Sequence, residues 1–162
     1  MKNNKIYNSK ISMKNISFFR KHGFIIVRNV IKKESLSLVL ESIKLNLGKY
    51  LKKSKMGKSK DIHKSLQNLR NRNKKNFAYL FDSLTTMNVN YNIMTDKKVL
   101  NIISKLLKVK KNLITLTDVA IRLDPPFDKR NTLEWHQDSS YFRQNDSGRN
   151  GIVLWTPINK LT

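Results

Sequence analysis

Trp135-His136-Gln137-Asp138-Ser139-Ser140-Tyr141-Phe142 is the stretch on which the reading of this chain turns. Thr132 to Asp138 reads as a β-strand, and on a strand residues i and i+2 share a face. His136 and Asp138 then present an imidazole and a carboxylate side by side. Those are two of the three ligands of a two-histidine, one-carboxylate facial triad, which leaves open positions on Fe(II). The chain has no cysteine, which excludes disulfides, thiolate-ligated zinc and iron–sulfur clusters. A bare His-x-Asp arises easily by chance among three histidines and eight aspartates, so the weight rests on context. Trp135 precedes the histidine, Tyr141-Phe142 follow the aspartate, and Gly151-Ile152-Val153-Leu154-Trp155-Thr156-Pro157 comes a strand and a turn later.

The pattern around the motif is that of strands. Leu113 to Leu123 alternates and is rich in β-formers, and Asp124-Pro125-Pro126-Phe127-Asp128 breaks it. Asn145 to Asn150 is a turn, and Gly151 to Pro157 a further strand. Upstream the period changes to that of helices. Ser12 to His22 reads as a helix stopped by Gly23, and Phe24 to Val27 as a buried strand. Glu34 to Leu47 carries Leu36, Val39, Leu40, Ile43 and Leu47 at helical spacing, with Gly48 as its stop. Lys49 to Lys60 reads as a solvated lysine- and serine-rich loop. Asp61 caps a helix through Arg70, Asn76 to Met87 forms another, and Thr95 caps one over Asp96 to Lys108. The expected layout is α+β: a mainly helical part over 1–110, then strands over 111–162.

Net charge is +22, from 25 lysines and 8 arginines against 11 carboxylates. Such a balance suits a nucleic-acid partner. However, the excess is lysine, spread over the first 111 residues and accompanied by much Asn and Ile, as AT-rich coding produces. The arginine forks that recognise phosphate geometry are scarce. The charge is therefore read as compositional and not as a nucleic-acid interface. No apolar run reaches the ~18 residues of a membrane span. The N-terminus lacks the apolar core of a secretory signal, and with no cysteine the expectation is a cytoplasmic protein without a membrane partner.

The same segments, taken in order, resemble the phytanoyl-CoA dioxygenase family of Fe(II)/2-oxoglutarate-dependent oxygenases. Phe18–Ile31 (FFRKHGFIIVRNVI) is similar to its N-terminal helix, Gly-Phe and strand. IRLDPPFDKRNTLEWHQDSSYF is similar to its strand, proline loop and iron strand, and GIVLWTPI to the strand that follows. The resemblance implies N-terminal helices packed on a double-stranded β-helix, a jelly-roll barrel. It implies Fe(II) on His136 and Asp138, with 2-oxoglutarate as cosubstrate near Trp155 and Arg122. It places a small organic substrate and O2 near Gln137 and Tyr141. The family also needs a distal histidine and an arginine clamp for the cosubstrate, and no histidine follows His136. The expectation is an incomplete barrel, a fragment ending before the distal half and inactive alone. The alternatives are a non-catalytic jelly-roll binding protein or a basic nucleic-acid-binding protein.

Overall fold

Ser12 starts the first helix. Its backbone is extended (φ −95°, ψ 169°) and its side chain accepts from the Asn15 N–H, while the Ser12 N–H donates to the Asn15 side chain at 2.7 Å. This is a capping box with asparagine in the place usually taken by Glu or Gln. Helix α1 (Met13–His22) ends at Gly23, whose φ of 76° is left-handed and whose N–H bonds to the Phe19 carbonyl. A Cβ there would meet open space, so only the backbone conformation calls for glycine. These features belong to a computed structural model that describes residues 6–7, 10–116, 119–122, 134 and 150–158.

Two compact units divide the described residues, residues up to Leu36 with 92–116 and 150–158 in one, and 37–91 with 119–122 and 134 in the other. In the first, strand β1 (Ile6–Tyr7) pairs in parallel with β2 (Ile26–Val27), Ile6 opposite Ile26 and Tyr7 opposite Val27. Ile25 and Val27 are half-buried, whereas Phe24 is 47% and Ile26 39% exposed. The apolar run 24–27 is therefore one-faced and not the buried strand expected. Helix α6 (Lys97–Leu107) is capped by Asp96, which accepts from the Lys98 N–H at 2.7 Å, one residue beyond the Thr95 expected to cap it. Ile102 and Leu106 of α6 meet Ile11 and Ile16, with Phe19, Ile25, Val27, Val30 and Ile152 packed around them. A 3-10 turn follows at Lys111–Leu113.

The second unit is helical. Helix α2 (Lys33–Lys53) buries Val39, Ile43, Leu47 and Leu51 at steps of four, its first turn lying in the other unit. It does not stop at Gly48. A mid-helix glycine costs about 1 kcal/mol relative to alanine, and full burial of a leucine such as Leu51, 2% exposed, returns about 1.5–3 kcal/mol. Residues 49–53, read as loop, are thus helix. Helix α3 (Ile62–Arg72) is capped by Asp61, and α4 (Lys74–Thr85) by Asn73, which also ends α3. A short α5 (Asn88–Met94) follows. Helices α3 and α4 pack together, and Leu66, Leu69, Leu80 and Leu84 are all buried. The Tyr50 and Ser83 hydroxyls bond at 3.0 Å, joining α2 to α4, and Asn76 donates to the Ser54 hydroxyl at 2.8 Å. Asn90, 5% exposed, donates to the carbonyls of Leu84 and Thr85 at the end of α4.

The α+β jelly-roll expectation is corrected by this architecture. Among the described residues there are six α-helices, and the sole ladder is the β1–β2 pair. Lys111–Leu113 is a 3-10 turn, and neither Ile114–Leu116 nor Gly151–Ile158 joins a sheet. Both later segments keep strand-like alternation. Val119 and Ile121 are buried with Ala120 and Arg122 exposed, and half-buried Ile152, Leu154, Thr156 and Ile158 alternate with exposed neighbours. The physical reason is that alternation encodes which face is covered, while a strand exists only through a partner that accepts its hydrogen bonds. The expected iron strand, 132–138, lies outside the described residues except for Glu134, which is exposed.

Leu69→Ala and Leu80→Ala, at positions with no exposed surface, should each destabilise by about 2–5 kcal/mol. Leu45→Ala, at a position 69% exposed on α2, should stay within about 0.5 kcal/mol. Urea denaturation followed by far-ultraviolet circular dichroism checks all three. Equal effects at Leu45 and Leu69 would contradict the assignment of the α2 and α3 buried faces.

Candidate functional site

The two expected iron ligands, His136 and Asp138, and the two expected substrate-side residues, Gln137 and Tyr141, lie outside the described residues. The two expected cosubstrate residues are described. Arg122 ends the alternating segment 119–122 on its exposed side, opposite to the side on which Val119 and Ile121 are buried. Trp155 is 66% exposed and shares its side of the segment 151–158 with Val153, 62% exposed. The two are apolar groups two positions apart on the exposed side of the alternation.

The other two histidines lie on helices. His22, in the last turn of α1, lies against Phe18 with ring centroids 4.3 Å apart, and Phe18 in turn meets Phe24 edge-on at 5.6 Å. An imidazole there also suits the carbonyl end of the helix. His63 sits in the first turn of α3 with an exposed side chain, and its backbone N–H donates to the Asp61 carboxylate at 2.8 Å. No group of three or more His, Cys, Asp or Glu side chains among the described residues could hold a metal ion. An imidazole and a carboxylate at 136 and 138 match two positions of a facial triad in donor type.

The region that the sequence left as a bland loop has more organisation than a lysine run suggests. After α2 ends, the Met56 N–H bonds back to the Leu51 carbonyl at 2.9 Å. The Ser59 N–H donates to the Ser65 hydroxyl at 3.0 Å, and Ser65 is 1% exposed. The Asp61 N–H donates to the Ser59 hydroxyl at 3.2 Å. Serines at 54, 59 and 65 were the signal in the sequence, since short hydroxyl side chains bond nearby backbone and shape turns. Across the unit, Lys53 and Lys75 stand 5.8 and 6.0 Å from the centroid of the Tyr79 ring, and Arg70 stands 5.5 Å from that of Phe77, distances at which a cation is drawn to a ring face.

No family model, curated protein or solved structure matches this chain. No helix among the described residues is long and apolar enough to cross a membrane.

The exposure of Trp155 is open to measurement. Trp135→Phe leaves it as the sole indole of the chain. Its fluorescence should then have the red-shifted maximum of a solvated indole and be quenched fully by acrylamide. A blue-shifted, quencher-resistant emission would show Trp155 enclosed.

Proposed function

We propose that this chain binds Fe(II) through His136 and Asp138, and that it is related to the Fe(II)/2-oxoglutarate-dependent oxygenases of the phytanoyl-CoA dioxygenase type. The observation that carries the reading is the motif Trp135-His136-Gln137-Asp138, followed at strand-and-turn spacing by Gly151–Pro157. The order of the first elements supports it: α1, the left-handed Gly23, β2 and α2 follow one another as the resemblance of residues 18–31 and the next helix implies. Bound iron would supply oxygen activation with 2-oxoglutarate as reductant. The chain itself supplies an imidazole and a carboxylate to hold the ion and fix its orientation.

A two-donor site is weak, because a complete triad needs a second imidazole. The second reading is a non-catalytic relative that binds a small molecule without turning it over, for which two donors within these 162 residues would suffice.

Anaerobic calorimetric titration of the 162-residue chain with Fe(II) tests the primary reading. One weak site is expected, abolished in His136→Ala and weakened at least about tenfold in Asp138→Ala. His63→Ala should leave it unchanged. Iron binding that survives His136→Ala, or no binding by the unaltered chain, overturns the proposal. If iron binds, formation of succinate from 2-oxoglutarate and O2 by the chain supports the oxygenase over the non-catalytic relative.

A further inference from the structure

Beside α2 and the start of α3 lies a cavity of about 350 Å³. Leu47, 1% exposed, and half-buried Ile62 give it an apolar floor. Ser59 and Ser65 add hydroxyls. Three lysines complete the lining, Lys44 from α2 and Lys58 and Lys60 from the segment before α3, all three exposed. No carboxylate lines the cavity among the described residues. The neighbouring Asp61 is committed to capping α3, accepting from the His63 N–H at 2.8 Å.

Lysines gathered around one concavity make its potential positive, and an apolar floor focuses that field into the cleft. Two exposed lysines on a helix face can turn away into solvent. Here the backbone that carries Lys58 and Lys60 is fixed, because Ser59 between them is tied through its N–H to the buried Ser65 and through its hydroxyl to the Asp61 N–H. As an acceptor in that second bond, the Ser59 hydroxyl keeps its own proton to donate, and no described residue takes it. A single carboxylate would neutralise one of the three cations. A phosphate monoester carries about −1.5 to −2 charges at neutral pH with three acceptor oxygens, which suits several point-charge donors at once. The apolar floor accommodates the group esterified to it.

We propose that this cavity binds a small organic phosphate ester, its phosphate among Lys44, Lys58 and Lys60 and its apolar portion over Leu47 and Ile62. The site is independent of the iron reading and lies wholly within the second unit. Binding here requires no chemistry at the ester; the residues present hold and orient it.

Phenyl phosphate is a suitable probe, followed by amide shifts of the ¹⁵N-labelled 162-residue chain. Saturable shifts at Lys44, Lys58, Ser59, Lys60, Ile62 and Ser65 are expected, with inorganic phosphate about tenfold weaker because it leaves the floor unfilled and phenol without effect. Lys58→Gln with Lys60→Gln should weaken phenyl phosphate by about tenfold or more. Lys97→Gln with Lys98→Gln removes the same charge from exposed positions on α6 and should change nothing. Equal weakening in the two double variants would mean that net charge alone attracts the anion, and would overturn the proposal. So would unsaturable shifts, shifts confined to other residues, or a single-stranded oligonucleotide moving these resonances when phenyl phosphate does not.

Discussion

The constraint behind this structure is the disposal of positive charge. The chain carries 33 lysines and arginines against 11 carboxylates, and a compact state gathers that surplus into a small volume where it repels itself. The solution is strict segregation. Every described lysine is exposed, and the core is built almost entirely from leucine, isoleucine and valine. Each helix therefore works with a narrow apolar stripe, such as Val39, Ile43, Leu47 and Leu51 on α2. Among the described residues Arg70 is the cation that goes inside, 8% exposed with its guanidinium near the Phe77 ring. A planar, weakly hydrated guanidinium tolerates that position better than an ammonium does.

Polar groups are buried chiefly where helices end or meet. Asn15 completes the cap of α1, Asn90 satisfies the last carbonyls of α4, and Asn76 joins α4 to Ser54 beyond α2. Ser65 fixes the segment that leads into α3. In each case a buried donor or acceptor has a partner, as the cost of leaving one unmatched demands. The last of these links fold to the proposed phosphate-ester site. By anchoring Ser59, Ser65 fixes the backbone that carries Lys58 and Lys60, which line the same cavity as Lys44.

The candidate iron ligands illustrate how far residue type and spacing reach. An imidazole and a carboxylate two positions apart, flanked by Trp135 and Tyr141, were legible as donor chemistry. Convergence of two such groups on one ion is a matter of tertiary geometry, which no local pattern decides. Trp155 shows the difference. Its place in an alternating apolar segment was legible, and the side it occupies is the exposed one. Alternation reports two faces without saying which of them is covered, and coverage comes from residues distant in sequence.

What the sequence by itself determined are the features closed within a few residues: the Gly23 stop of α1, the Asp61 cap of α3, and the apolar stripes that name the buried side of each helix. Their hydrogen bonds run over three or four positions, so the local residues suffice. Only the tertiary structure decided that α2 runs past Gly48, because burial of Leu51 against the unit outweighs a glycine in the helix. It alone decided that segments with strand-like alternation stand without a ladder among the described residues, and that three lysines from two elements share one cavity. Those outcomes rest on partners brought together by folding, and a sequence read position by position does not contain the partner.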